Sequence, residues 1–238
     1  MKIALIGYGK MGKAIEEIAL QRGHEIILKI DVDNAGDFTS EKFSLADVAI
    51  EFTGPQSAFE NVMKCLRFHL PVVCGSTGWL DTWPEVTAYC AKEQGSLVYA
   101  SNYSVGVNIF FEINKRLAEL MAPHPSYEII LEEIHHTQKK DAPSGTAVSL
   151  ADQILEKISR KKAWVNHHSN NPEDLLIVSE RIDPAPGTHK VKYHSTVDDI
   201  ELVHTAHNRT GFATGAVLAA EFIPGRKGVF SMKEVLGL

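Results

Sequence analysis

The chain has 238 residues, of which 44% are hydrophobic and 23% charged, and a formal net charge of −6 at pH 7. That is enough apolar content for one large core or two smaller ones. The negative balance argues against a phosphate-backbone partner, and no apolar run approaches the ~20 residues of a bilayer span, so neither nucleic acid nor membrane is an expected partner.

Cys65, Cys74 and Cys90 are an odd set without a CxxC pair. All three fall in expected core segments, which makes them buried thiols rather than a disulfide framework. The chain runs straight into a first strand at Lys2 with no signal-peptide pattern, so the expected compartment is the cytoplasm.

Residues 1–103 alternate strand and helix. Ile3 to Ile6 is an apolar run ending at glycine, as in a strand covered on both faces. Met11–Leu20 carries Ile15, Ile18 and Ala19 at helical spacing and stops at Gly23. Strands follow over Glu25–Ile30, Val48–Phe52, Pro71–Cys74 and Leu97–Ala100, with helices over Gln56–Phe68 and Trp83–Glu93. This βαβ rhythm implies a parallel sheet with right-handed crossovers.

Beyond Asn102 the rhythm changes. A long amphipathic helix is expected over Val107–Met121, a strand over Tyr127–Ile134, and a helix from Gly145 to Ile158. Leu175–Ser179, Lys190–His194 and Ile200–His204 then read as strands without intervening helices, hence a mixed or antiparallel second sheet. Gly211, Gly215 and Ala219 recur every four residues along Phe212–Phe222, one close-packing face of a buried core helix. The fold class is α/β, with a βαβ domain over 1–103 and a second layer or domain with a mixed sheet after it.

Gly7-Tyr8-Gly9-Lys10-Met11-Gly12 fits G-x-G-x-x-G between a strand and a helix. The first glycine permits a tight turn, the second lets a pyrophosphate approach the backbone, and the third lets helix and strand pack closely. Helix N-terminal N–H groups then hold the diphosphate. Asp31, nineteen residues beyond Gly12, ends the second strand where an acid binds ribose hydroxyls and repels a 2′-phosphate. NADH is therefore favoured over NADPH, although Lys10 and Lys13 offset the repulsion. Gly75, Ser76 and Thr77, at another strand end, are placed near the nicotinamide.

The chemistry-bearing stretch is His135-His136-Thr137-Gln138-Lys139-Lys140-Asp141-Ala142-Pro143-Ser144-Gly145-Thr146. Adjacent histidines on a strand face opposite sides, which disfavours joint chelation of one ion and leaves one imidazole for proton transfer. Lys139 lies in the following loop. Ala142 before Pro143 is biased to extended backbone, so Ser144 is the expected N-cap. Position N3 is Ala147, so no capping-box carboxylate is expected at this end, and Gly145 and Thr146 offer N–H groups to a ligand carboxylate.

This stretch, with Glu133 before it, resembles the dihydrodipicolinate reductase (4-hydroxy-tetrahydrodipicolinate reductase) family of lysine and diaminopimelate biosynthesis. The resemblance extends through Gly75-Ser76-Thr77-Gly78, Ala100-Ser101-Asn102-Tyr103-Ser104 and His207-Asn208-Arg209-Thr210-Gly211-Phe212 to the final Leu238. It implies an N-terminal Rossmann dinucleotide-binding domain over 1–103 to which 211–238 return, an α+β substrate domain over 104–210 that builds a homotetramer, and a cyclic dicarboxylate substrate reduced by NADH or NADPH. It also implies proton exchange at His135 and Lys139, and substrate binding at His136, Ser144, Gly145 and Thr146. Nucleotide contacts would come from Gly7 to Gly12, Asp31, Gly75 to Thr77, and Ala100, Ser101, Asn102 and Tyr103. The chain departs from the family pattern in a first loop one residue shorter, in Ser76 and Tyr103, and in a compact stretch from Trp164 to Gly187.

Two other readings remain at this level. One is another Rossmann amino-acid dehydrogenase, such as an aspartate dehydrogenase, which would not require the Lys139–Thr146 segment. The other is a non-catalytic NAD-sensing or metal-binding protein using the eleven histidines. His167-His168 and His204-x-x-His207 lie on separate elements with no cysteine partner, so no metal is expected.

Overall fold

The computed structural model describes all 238 residues. The elements in chain order begin β1 (Lys2–Ile6), α1 (Lys10–Gln21), β2 (Glu25–Ile30), α2 (Ser40–Phe43), β3 (Val48–Glu51), α3 (Ala58–Arg67), β4 (Val72–Cys74), α4 (Trp83–Lys92) and β5 (Ser96–Tyr99). Next come α5 (Val105–Met121), β6 (Glu128–His135), α6 (Gly145–Lys157), β7 (Ala163–Val165), β8 (Asp174–Arg181), β9 (Gly187–His194) and β10 (Asp199–Ala206). The chain finishes with α7 (Thr210–Phe222), β11 (Gly228–Phe230) and α8 (Met232–Leu236). It divides into two compact units, Met1–Val105 with Arg209–Leu238, and Gly106–Asn208.

The first unit holds a sheet in the order β11-β5-β4-β3-β1-β2, every neighbouring pair parallel. Alternation along the strands sends Ala4, Ile6, Ala49, Val72 and Cys74 into one core with α3 and α4. Ile3, Leu5, Val48, Ile50 and Val73 enter a second core with Ile15 and Ala19 of α1 and Ala213, Ala216 and Ala220 of α7. Apolar runs on these strands therefore reflect two covered faces. Gly215 on α7 lies against the 103–104 backbone, where a Cβ would fall 1.7 Å from the Tyr103 carbonyl oxygen. This is the close-packing role expected of the small-residue stripe.

Several short elements were not anticipated, α2 among them. A 3-10 turn occupies Val32–Asp37, β11 adds a three-residue edge strand, and α8 closes the chain. The last did have a sequence signal. Ser231 and Glu234 form a capping box, the Glu234 carboxylate accepting the Ser231 N–H at 2.9 Å and Ser231 Oγ accepting the Lys233 N–H at 3.2 Å.

The second unit holds a mixed sheet in the order β10-β9-β6-β8-β7. The β10/β9 and β9/β6 pairs are antiparallel, whereas β6/β8 and β8/β7 are parallel. Crossover from β6 to β8 needs a helix, and α6 supplies it. Phe110, Ala118 and Met121 of α5, with Ala147, Leu150 and Ile154 of α6, pack on Ile129, Leu131, Leu175, Ile177, Val191 and Tyr193. The opposite sheet face carries an ion ladder of Glu132, Lys190, Glu201, Lys192 and Asp199. Each such exposed pair contributes little, ~0–1 kcal/mol. β7 fell in the compact stretch after Trp164 and was not expected.

Candidate active site

Strand register aligns the carboxyl ends of the first unit's sheet: Ile6 pairs with Ile30 and Glu51, Glu51 with Cys74, and Cys74 with Tyr99. The loops after them share one edge, where open α/β sheets bind ligands. Gly7 has φ of +91°, and a Cβ there would lie 2.1 Å from the Phe52 carbonyl oxygen. A Cβ on Gly12 would fall 2.3 Å from the Gly7 carbonyl, whereas at Gly9 it would meet nothing within 4 Å. The helix therefore sits tight on the turn while the backbone at Gly9 stays open. Gly9 caps α1 without a side-chain bond, leaving that N-terminus to an anion.

A cleft of about 490 Å³ adjoins this loop, lined among others by Gly7, Tyr8, Gly9, Asp31, Thr53 and Lys64. The exposed Asp31 accepts the Val32 N–H through Oδ1 at 2.8 Å, which orients the carboxylate. A hollow of about 250 Å³ lies between Met11, Gly54, Gly75, Ser76 and Thr77. A glycine-rich turn, an open helix end and an acid at the end of β2 fit a nicotinamide dinucleotide.

Some expected contacts change character. Tyr103 is 2% exposed, and its hydroxyl donates to the carbonyls of Cys74 (2.8 Å) and Val98 (3.2 Å). The ring supports the strand ends from within, and its hydroxyl is taken up by these carbonyls. Ser76 is buried and its Oγ accepts the Thr53 N–H at 2.8 Å, so only its backbone is left for a ligand. Gly12 is likewise buried and acts through packing. Lys10 and Ser101 are exposed, and Ala100 is half-buried. Asn102 turns inward along its own chain, Oδ1 accepting the Ser104 N–H at 2.9 Å.

Sequence reasoning missed Glu51, fully buried at the end of β3. Its carboxylate accepts from the Thr53 N–H (3.2 Å), the Thr53 hydroxyl, Asn61 (3.4 Å) and the Cys74 thiol (3.1 Å). It thus ties the Phe52–Thr53 turn to α3 and β4. Burial pushes all three thiols above the ordinary range, so they are inert packing groups.

In the second unit, β6 ends at His135, which is 7% exposed, while His136 lies beyond the strand and is half-buried. The two imidazoles thus separate. Lys139 donates to both oxygens of Asp141, at 2.7 and 2.8 Å. Ser144 caps α6 as expected, its Oγ accepting the Ala147 N–H at 3.2 Å. A Cβ at Gly145 would meet nothing within 4 Å, so a ligand can approach that helix end, and Thr146 follows it half-buried.

Position N3 brings no carboxylate to this helix end, but the preceding strand does. Glu133, 0% exposed, reaches over from β6, and both its oxygens lie 3.1 Å from the Ser144 N–H. The acid comes from tertiary structure rather than from position N3. Glu133 also sits 3.4 Å from His135 Nδ1, 3.7 Å from His189 Nε2 and 3.2 Å from the Arg181 guanidinium. Burial works against its charge, but the Ser144 hydrogen bonds prevail and hold the carboxyl below its usual range. Burial likewise lowers His135, reinforced by Lys139 and Arg181 against the pull of Glu133, so the ring is neutral near pH 7. His189 is pushed down to about 3 by burial, with His135 adding to the shift.

His189 and Arg181 carried no motif signal; register brings them in. Glu133 pairs with His189 across β6/β9, and His135 with Arg181 across β6/β8. Glu133 was legible in principle, two residues before His135 and on the same strand face. The scattered histidine pairs His167-His168 and His204-x-x-His207 are not what gathers. One ligand atom each from Glu133, His135 and His189 lies within 4.8 Å of the others.

Residues 1–103 match the family described as dihydrodipicolinate reductase, N-terminus, and residues 106–236 match its C-terminus. The 4-hydroxy-tetrahydrodipicolinate reductase of Christiangramia forsetii is 48% identical over 236 residues, covering 99% of this chain and 98% of that one. The chain belongs to the dihydrodipicolinate reductase family. It is therefore an oxidoreductase. A dipicolinate-bound dihydrodipicolinate reductase from Paenisporosarcina sp. TG-14 shares the fold, with a TM-score of 0.77, 24% identity and 98% of each chain covered. A probable dehydrogenase from Thermotoga maritima is a more distant likeness, with a TM-score of 0.56, 9% identity, and 99% of this chain and 92% of that one covered.

Proposed function

We propose that the chain reduces 4-hydroxy-tetrahydrodipicolinate to tetrahydrodipicolinate, with the dinucleotide held by the first unit and the cyclic dicarboxylate by the second. The observation that carries this reading is the Ser144-capped, unobstructed N-terminus of α6, served by the same loop that bears Lys139 and adjoined by the buried His135. Bound NADH or NADPH would supply a hydride to the C4 region of the ring, with the 4-hydroxyl leaving as water.

The protein's own groups do the rest. A substrate carboxylate rests on the N–H groups of Gly145 and Thr146, where the helix dipole favours negative charge. His136 binds beside it. Lys139 leaves Asp141 for the substrate, because both are carboxylate partners of the same ammonium. Hydride addition builds negative charge on the enamine side of the ring, and a proton must meet it. His135 rests neutral, so the Lys139 ammonium is the proton donor at hand, and His135 exchanges protons with it and with solvent. Glu133 holds the imidazole and the helix cap in one arrangement.

Asp31 favours NADH. Support comes from its exposed carboxylate and from Val32 beside it, 86% exposed and uncharged. Lys29 is held by Glu16 at 2.6 Å, and Lys64 is the basic residue lining the cleft. We place the protein in the cytoplasm as a homotetramer assembled through the second unit, whose uncovered sheet face carries half-buried Ile130, Leu176 and Val178. No helix is long and apolar enough to cross a membrane. The test supplies freshly made synthase product and follows NADH or NADPH absorbance. Product-dependent oxidation, faster with NADH, is expected; no oxidation of either nucleotide refutes the assignment.

A further inference from the structure

We propose that Glu133, His135 and His189 form a binding site for a divalent transition metal of the zinc class, and that its occupancy arrests His135. The site overlaps the reaction centre proposed above and rests on that reading only for its effect on turnover. Binding itself stands on geometry alone.

Three observations carry it. First, His135 Nδ1 lies 3.4 Å and His189 Nε2 3.7 Å from the same Glu133 oxygen, Oε2. Ligand atoms around a tetrahedral zinc, with bonds of ~2.0–2.1 Å, sit roughly 3.3 Å apart, so both imidazole–carboxylate edges fit to within a few tenths of an ångström, and all three ligand atoms lie within 4.8 Å of one another. Second, His135 Nδ1 is buried with no hydrogen-bond partner, aimed at that oxygen from a residue 7% exposed. Third, Arg181 engages Oε1 at 3.2 Å, leaving Oε2 turned to the imidazoles. Two imidazole nitrogens and one carboxylate oxygen select borderline metals over magnesium or calcium.

Charge and protonation agree with the geometry. Burial keeps both rings neutral at physiological pH, His189 down to about 3. A neutral imidazole keeps one N–H, so metal entry at His135 Nδ1 and His189 Nε2 requires only that this proton sit on the other ring nitrogen. Opposing charges come from Arg181 on Glu133 and from Lys139, itself paired with Asp141. These cations weaken the site relative to closed structural zinc centres. A fourth position is open to water or to Ser144 Oγ, which lies 3.1 Å from His189 Nε2. Coordination through Nδ1 takes the lone pair on which protonation of His135 depends and fixes Nε2 as a donor. The ring then no longer cycles a proton, and turnover stops reversibly.

The experiment titrates the metal-free full-length protein with Co²⁺ in a non-chelating buffer and follows its visible ligand-field bands. One equivalent displaced by Zn²⁺ is expected, with His189→Gln weakening binding at least about tenfold and His167→Gln/His168→Gln leaving it unchanged. Imidazole nitrogen NMR of the wild type supplies a second readout, with His135 and His189 resonances shifted by Zn²⁺. Zn²⁺ should also inhibit NADH oxidation, with recovery on adding EDTA. Absence of the bands, bands equally strong in the His189 variant, or unmoved His135 and His189 resonances would each overturn the site. Bands without any NADH oxidation would leave the site standing and refute the reductase reading instead.

Discussion

The two functional ends of this molecule are built by opposite means. At the edge of the six-stranded sheet, the proposed recognition is by backbone: glycines at 7, 9 and 12, a helix end without a side-chain cap and the exposed Asp31. At the end of β6, the work falls to side chains, with Glu133, His135 and His189 buried together and Arg181 and Lys139 at their border. A diphosphate has a fixed shape and charge that N–H groups can match without titrating. A developing carbanion needs a proton, and that requires ionisable groups whose protonation is set by burial and neighbours.

This contrast yields graded expectations. The largest effect belongs to the side-chain end. Lys139→Ala should lower kcat by ~10²–10⁴-fold while leaving NADH affinity near that of the wild type, as read by steady-state kinetics and fluorescence titration. Near-normal turnover would remove Lys139 from the mechanism.

Next comes the packing beneath the backbone end. Gly215→Ala places a methyl 1.7 Å from the Tyr103 carbonyl oxygen, so α7 must shift. A loss of at least ~1–3 kcal/mol in urea unfolding is expected. Unchanged stability would mean that the helix seats more loosely than the geometry states.

Acid should separate the two ends. His189 has its pKa depressed to about 3 in the fold, against 6.5 for the free side chain. Keeping it neutral therefore contributes stability above pH ~6.5, and that contribution is lost as pH falls toward 3, at ~1.4 kcal/mol per pH unit for one such group. Glu133, also lowered, adds a loss that begins below its ordinary 4.5. Denaturation of wild type and His189→Gln between pH 7 and 4 should give a shallower slope for the variant; parallel slopes contradict the assignment.

Two smaller effects probe the nucleotide end. Asp31→Ser should move the NADPH-to-NADH preference toward NADPH by about tenfold, ~1.4 kcal/mol. An unmoved ratio would shift the discrimination elsewhere, to Lys64 first. Tyr103→Phe removes two hydrogen bonds to strand-end carbonyls and should cost ~0.5–1.5 kcal/mol of stability without altering NADH affinity. Weaker NADH binding at unchanged stability would mark Tyr103 as a contact.

How much the sequence revealed follows the same division. The strands and longer helices of the first hundred residues appear within a residue or two of their expected bounds, because apolar runs closed by glycine obey local rules, whereas the short α2 was not expected. G-x-G-x-x-G between strand and helix is a local pattern too. Short edge elements such as β7 and β11 left no periodicity to read, being three residues each. The stretch from His135 to Thr146 showed His135, Lys139 and the Ser144 cap, since they are contiguous. Their supports were hidden because they come from elsewhere: His189 enters across β6/β9 and Arg181 across β6/β8. Tyr103 makes a related point. A motif position says where a residue stands in the chain, whereas burial beneath β4 and β5 decides what its ring can touch.

The central claim is that the two ligands are held by different units. Backbone amide NMR of the labelled protein tests it most directly, with NADH and dipicolinate added separately. NADH should move the amides of Gly7, Gly9 and Gly75, and dipicolinate those of Gly145 and Thr146 with the His135 ring. Dipicolinate that perturbs the glycine loop and leaves the start of α6 untouched would contradict the account.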